Sequence, residues 1–237
     1  MIPSKRLRQR TRLRIIPVID LMGGEAVRAI AGRRASYQPL RTPLAASSDP
    51  CDVAEGFLRL HPFETIYVAD LDAIMERGGN EPILARLAAA FPKIDFWLDR
   101  GRAGPLAAAS FVRVVGSESL APDLPPPELS QDERAILSLD FDGERFLGPE
   151  ELERRPSLWP ERVIIMTLAS IGGGGGPDFG RLAALKARAA NREIYAAGGV
   201  RDAEDLASLA KLGITGALVA TALHAGRIGP RELAGCG

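Results

Sequence analysis

The chain has 237 residues, 46% of them hydrophobic and 25% charged, values of a protein able to bury a sizeable core rather than of a disordered one. Its 30 Lys and Arg balance its 30 Asp and Glu, so no global charge draws it to nucleic acid or to an anionic membrane. The two cysteines, Cys51 and Cys236, fit neither a zinc spacing nor a disulfide framework, and no apolar run approaches the roughly 18 residues that cross a bilayer, so a cytoplasmic chain without a structural metal is expected. Residues 1–13 are a basic lead-in with no aromatic residues interleaved to stack on bases, which favours a solvated approach to the first strand over a nucleic-acid arm. A β-type apolar run, Arg14 to Leu21, predicts that strand. Gly32 to Pro50 reads as an excursion, after which Asp49 caps a helix from Cys51 to Leu60. Strands are predicted over Thr65 to Leu71, Ile94 to Asp99 and Phe111 to Gly116, with a helix over Glu81 to Ala90 between the first two. Within Leu120 to Asp132, the Pro125-Pro126-Pro127 run stunts the helix expected next. The remaining strands are Ala135 to Asp140, Arg162 to Thr167, Glu193 to Ala197 and Gly216 to Ala220. Helices over Pro177 to Ala190 and Ala203 to Leu212 separate the last three, the second capped by Asp202.

Short strands alternating with helices imply βαβ units and a parallel sheet, and the length approaches the about 250 residues of one (β/α)8 TIM barrel. A single α/β domain over residues 1–237 is expected. The chain also repeats itself: Ile19-Asp20-Leu21-Met22-Gly23-Gly24 is matched half a chain later by Leu139-Asp140-Phe141-Asp142-Gly143. With small gaps, Val115-Gly116-Ser117 pairs with Val219-Ala220-Thr221, which predicts two half-barrel repeats.

Asp20 and Asp140 each end a predicted strand, and carboxyl ends of barrel strands face the mouth where active sites are built. One ionised carboxylate can remove a proton while a second, kept protonated by its surroundings, gives one back. The alternative is that each caps a turn or pairs with an arginine at the rim. Gly198 and Gly199 follow the seventh strand, and Ala220 and Thr221 follow the eighth, where backbone amides can approach an anion; these four are the phosphate-binding candidates. His61, at a helix-to-strand junction, reads as a surface or packing residue; Trp97 and Trp159, with their large apolar area, read as packing residues rather than substrate stackers; His224 reads as a surface residue, with phosphate contact the alternative.

Ile15-Ile16-Pro17-Val18-Ile19-Asp20-Leu21, Val68-Ala69-Asp70-Leu71-Asp72 and Ala197-Gly198-Gly199-Val200-Arg201 resemble the phosphoribosylformimino-aminoimidazole carboxamide ribotide isomerase family and its cyclase sister. The resemblance implies an Amadori rearrangement of a phosphorylated aminosugar to the aminoketose, without metal or organic cofactor. It places the general base on Asp20 and the general acid on Asp140, with Thr167 holding the reacting sugar and Asp70 near the pocket. Arg100, Gly101 and Ser117 complete the substrate-binding candidates.

Two loops depart from that family's pattern. Its phosphate loop after the third strand reads as three glycines followed by Ile-Arg, whereas this chain has Leu98-Asp99-Arg100-Gly101-Arg102-Ala103. Asp99 sets a negative charge where an anion would sit; at about 5 Å and an effective dielectric near 20, a like-charge pair costs roughly 3 kcal/mol. Arg100 either offsets that charge or binds a carboxylate. After the sixth strand an Asp-Gly-Thr segment gives way to five glycines, Gly172 to Gly176, read either as a flexible connector or as a backbone anion nest. The altered loop, together with Tyr67 to Ile74, is similar to isomerase relatives of methanopterin-dependent one-carbon metabolism. That implies a single-phosphate substrate as the alternative; a non-catalytic barrel binding a phosphorylated metabolite is another.

Overall fold

The computed structural model describes residues 12–30, 32–104, 106, 110–121 and 129–236; the basic stretch before Arg12 and the triple proline lie outside them. In chain order the elements are β1 (Arg14–Met22), β2 (Glu25–Arg28), β3 (Gln38–Pro39), α1 (Pro50–Leu60), β4 (Thr65–Asp70), α2 (Leu71–Ile74), α3 (Glu81–Ala90), β5 (Asp95–Asp99) and β6 (Phe111–Gly116). Then follow β7 (Ile136–Asp142), β8 (Arg145–Leu147), α4 (Glu150–Arg154), β9 (Arg162–Thr167), α5 (Phe179–Arg188), β10 (Glu193–Ala197), α6 (Ala203–Lys211), β11 (Gly216–Val219), α7 (Thr221–His224) and α8 (Pro230–Cys236). Eight strands, β1-β4-β5-β6-β7-β9-β10-β11, pair in parallel, and β11 returns to pair with β1, closing the barrel. β2, β3 and β8 stand outside the ring as antiparallel partners.

The expected strands are all present, three with the expected ends and the others within two residues of them. Asp49 caps α1 by accepting from the Cys51 N–H at 2.8 Å, and Asp202 caps α6 by accepting from Glu204 and Asp205, satisfying amides that the first helical turn leaves unpaired. The Gly32 to Pro50 excursion is anchored rather than loose: β3 lies on β2, and the Leu40 N–H donates to the Ala26 carbonyl. The stunted helix expected within Leu120 to Asp132 falls largely outside the described residues; after β7, a β-hairpin and the five-residue α4 lead to β9.

Alternation along the strands divides the core in two, as the period-two geometry of a strand requires. Ile16, Tyr67, Trp97, Val114, Ile136, Ile164, Tyr195 and Leu218 face the barrel interior. Ile19, Val68, Leu98, Leu139, Ile165 and Val219 face outward onto Phe57, Leu84, Leu87, Leu182 and Leu206 of the helices. Trp97 meets Tyr195 edge to face at 4.8 Å, filling the lower interior; Trp159 is 1% exposed in the outer layer. Both tryptophans therefore pack. With the lower barrel filled, the open end lies at the carboxyl ends of the strands.

Candidate active site

A cavity of about 260 Å³ occupies that open end. Asp20, at the end of β1, shares the interior phase of Ile16 and Val18; Asp140, on β7, shares that of Ile136 and Ser138. Both line the cavity, so two carboxyl groups from opposite strands of the ring enter one space. A third, Asp99, enters from β5 by the same rule, two residues beyond Trp97.

Surroundings separate the three acids. Asp140 is 4% exposed; its carboxyl accepts from Ser138 Oγ at 2.6 Å, from the Glu118 N–H at 3.0 Å and from Ser117 Oγ at 3.3 Å. Burial outweighs those bonds and pushes its pKa up to about 8. The Asp20 carboxyl makes no hydrogen bond to a described side chain or backbone amide. Burial lifts its pKa to about 7, with the Arg34 guanidinium pulling the other way. Asp99 accepts from the Gly101 N–H at 2.9 Å and from the Tyr67 hydroxyl at 3.3 Å, and burial raises it to about 6. Burial thus lifts all three toward neutrality, Asp140 furthest and Asp99 least.

The opposite wall carries the phosphate candidates. Gly198, Gly199, Ala220 and Thr221 all line the cavity. Gly198 and Gly199 adopt φ of +96° and +85°, and a Cβ on either would lie 2.4 Å from the Thr167 carbonyl oxygen or 2.2 Å from that of Gly176. Only glycine fits both the dihedral and the approach of those neighbouring backbones. Gly172 to Gly174 form part of the same wall, and a Cβ at Gly172 would come within 2.7 Å of the Ala29 carbonyl oxygen, so the glycine run lies against the hairpin side of the mouth. Arg201 lines the wall as well, held by two bonds to Asp205 at 2.9 and 2.8 Å.

Five other candidates stand outside the cavity. Asp70 has the phase of Ile66 and Val68, which turns it outward; it is fully buried, caps α2 and accepts from Asn80 Nδ2 at 2.7 Å and Arg100 Nε at 3.2 Å. Arg100 follows it there, also pairing with Glu81 and donating to the Gly104 carbonyl, so it neither screens Asp99 at the mouth nor offers a free guanidinium to a ligand. Thr167, in phase with Val163 and Ile165, accepts from Arg181 behind the sheet. Gly101 turns beside Ile74. Ser117 is fully buried and acts on Asp140: its Oγ accepts from the Asp140 N–H at 2.9 Å while donating to the carboxyl.

Sequence reasoning did not find Arg34, Glu118 or the role of Tyr67. Arg34, in the short turn before β3, ion-pairs with Glu118, just after β6, and both line the cavity. His224, expected on the surface, is half-buried: its ring lies 5.1 Å from Phe57, and Nδ1 is 3.1 Å from Thr42 Oγ1. Among the described residues no group of three or more His, Cys, Asp or Glu is arranged to hold a metal, and no helix is long and apolar enough to cross a membrane.

The family model described as histidine biosynthesis protein matches residues 14–102 and 151–229. The first matched segment carries Asp20 and Asp99 and the second the Gly198–Gly199 and Ala220–Thr221 turns, whereas Asp140 and Ser117 fall between them. An uncharacterized protein of Methanocaldococcus jannaschii is 30% identical, covering 93% of this chain and 97% of its own length. The phosphoribosyl-aminomethylideneamino-imidazole carboxamide isomerase of Pyrobaculum aerophilum is 29% identical over 90% of this chain and 96% of its own. Phosphoribosyl isomerase A of Mycobacterium avium is 28% identical over 90% and 94%.

Proposed function

The chain belongs to the histidine biosynthesis protein family, and from that premise we propose that this isomerase-like enzyme carries out an Amadori-type rearrangement of a phosphorylated aminoaldose. The observation that carries the reading is the meeting of Asp20 and Asp140 in one cavity with pKa values raised to about 7 and about 8. Asp140 gives its proton to the ring oxygen as the C1–O bond breaks, leaving an open-chain iminium. Asp20 takes the proton from C2, and the electron pair moves to form the C1=C2 enolamine, neutralising the nitrogen. Tautomerisation, with the C2 hydroxyl proton lost and C1 protonated, yields the aminoketose. A base with pKa near the working pH and an acid protonated at it is the pairing that such proton transfers need. The phosphate lies on the backbone amides of the Gly198–Gly199 and Ala220–Thr221 turns.

A second reading is favoured by Asp99. A buried carboxyl held by Tyr67 stands where the resembling family places its other phosphate loop, and Arg100 is engaged by Asp70 and Glu81. A relative whose substrate brings no phosphate to the β5 end, as in the one-carbon branch, fits that arrangement. Assay of the purified protein with the two-phosphate aminoaldose of histidine biosynthesis separates the two. Turnover on the order of 1 s⁻¹ supports the histidine substrate. None by the folded protein excludes it and directs the search to substrates lacking the second phosphate. Retention of full activity after Asp20→Asn would sink the acid–base reading itself.

A further inference from the structure

Beneath the β2–β3 hairpin, a side compartment of about 200 Å³ adjoins the main cavity. The two share Asp20, Arg28, Ala220 and Thr221 in their lining, so the compartment begins where the proposed phosphate turn ends. Arg28 and Arg41 line it, both exposed and with neither guanidinium hydrogen-bonded nor ion-paired to a described residue. Of the other arginines lining the main cavity, Arg34 is engaged by Glu118 and Arg201 by Asp205, whereas Arg227 is exposed and lies outside the compartment's lining. Asp20 is the one carboxylate lining the compartment among the described residues, and it sits at the junction with the main cavity. His224, at the far side, is kept neutral by burial that lowers its pKa to about 4, so the compartment's charges are the two guanidinium groups and, at the junction, the Asp20 carboxyl.

We propose that this compartment binds a second oxyanionic group of the substrate, phosphate or carboxylate, on Arg28 and Arg41, while the first phosphate occupies the Gly198–Gly199 and Ala220–Thr221 turns. The proposal rests on the phosphate assignment made for those turns. The end of β5 cannot serve a second anion, because Asp99 opposes it and Arg100 is withdrawn. Two free guanidinium groups with planar donor forks match an oxyanion in charge and geometry. The substrate then carries its anionic groups toward the β1, β10 and β11 side of the mouth, leaving its neutral or cationic part over Asp99 and Asp140.

Calorimetric titration of the full chain with ribose 5-phosphate and with ribulose 1,5-bisphosphate tests this without requiring turnover. The bisphosphate is expected to bind at least tenfold more tightly than the monophosphate, and Arg41→Ala to close that gap while leaving monophosphate affinity unchanged. Arg231→Ala, which removes the same charge from an exposed position on α8, is expected to leave the gap open. A bisphosphate advantage that is absent, that survives Arg41→Ala, or that falls equally with Arg231→Ala overturns the proposal. Failure of ribose 5-phosphate to bind at all sinks the phosphate assignment at the turns as well, and so separates the two readings.

Discussion

Asp20 and Asp140 hold the same place in two β-hairpins: Asp20 stands opposite Val27 of β2, and Asp140 opposite Leu147 of β8. Each chain turns back through glycine at positive φ, Gly23 and Gly24 in one case and Gly143 in the other. The half-barrel repeat thus places one acid on each of two opposed strands. What distinguishes them is local: Asp140 is held by Ser117, Ser138 and the Glu118 amide, whereas Asp20 has only the charge of Arg34 nearby.

Replacing either acid by asparagine is expected to lower kcat by roughly 10²–10⁴, the usual worth of a positioned acid or base. KM should change far less, because neither group is placed to hold the phosphate. Steady-state kinetics with circular dichroism on both variants checks this; equal loss of kcat and of fold in each would refute it.

The pH dependence of kcat/KM should be a narrow bell, rising as Asp20 ionises near about 7 and falling as Asp140 loses its proton near about 8. Ser117→Ala removes a bond to the Asp140 carboxyl and is expected to move the upper limb while leaving the lower one in place. Movement of both limbs together would show that Ser117 acts only on the fold.

Stability carries the same signature with a definite sign. Asp20, Asp99 and Asp140 titrate above their ordinary value of 3.8, so the folded chain retains protons that the unfolded chain has released. Their contribution is most favourable below the unfolded value and is lost as pH rises through the folded ones. His224, lowered by burial from its ordinary 6.5, acts in the opposite sense only as pH falls below that value. Tm should therefore be roughly 5 °C lower at pH 8 than at pH 6.5. Asp140→Asn should flatten much of that slope, and an unchanged slope in scanning calorimetry would contradict the assignment.

Gly116 separates two of the acids. A Cβ there would lie 3.0 Å from Asp99 Oδ2 and 3.3 Å from Asp140 Oδ2, with the carboxyl of each fixed by other bonds. Gly116→Ala is expected to cost about 1–3 kcal/mol in stability, as overpacking does, and to lower kcat at least tenfold by displacing Asp140. Denaturant titration and kinetics together check it; a stable variant of full activity would show that the carboxyls yield freely.

Arg100 should behave as a structural residue. It is 7% exposed and is the cation paired with the fully buried Asp70. Arg100→Ala leaves that carboxylate without its charge partner and should cost roughly 3 kcal/mol, with ribose 5-phosphate affinity unchanged. A stable variant with weakened ligand binding would instead return Arg100 to the substrate.

Much of this was legible in the sequence. The barrel followed from strand and helix alternation, and the meeting of Asp20, Asp140, Gly198–Gly199 and Ala220–Thr221 at one cavity followed from their places at strand ends. Phase along the strand was the unused signal: Asp70 and Thr167 also end strands, but they continue the outward series of Val68 and Ile165, one residue out of step with the mouth. Asp99, two residues beyond the inward Trp97, belongs to the site by the same count. The partners of Arg34 and Arg100 were beyond such counting, because Glu118 and Glu81 reach them from loop and helix starts whose approach only the closed barrel sets.

Closure itself joins the two ends of the chain. β1 pairs with β11 from Arg14↔Gly216 to Pro17↔Val219, so during synthesis the first strand of the ring waits for the last before its second edge is covered. Until then the open edge beside Asp20 presents unpaired amides and carbonyls, and a nascent chain arrested before β11 offers them to any neighbouring strand. A rotary rejoining of the termini that opens the ring elsewhere would shift this vulnerable interval to another pair of strands. The order in which the wall is built, rather than its final geometry, then decides when the chain is safe from its neighbours.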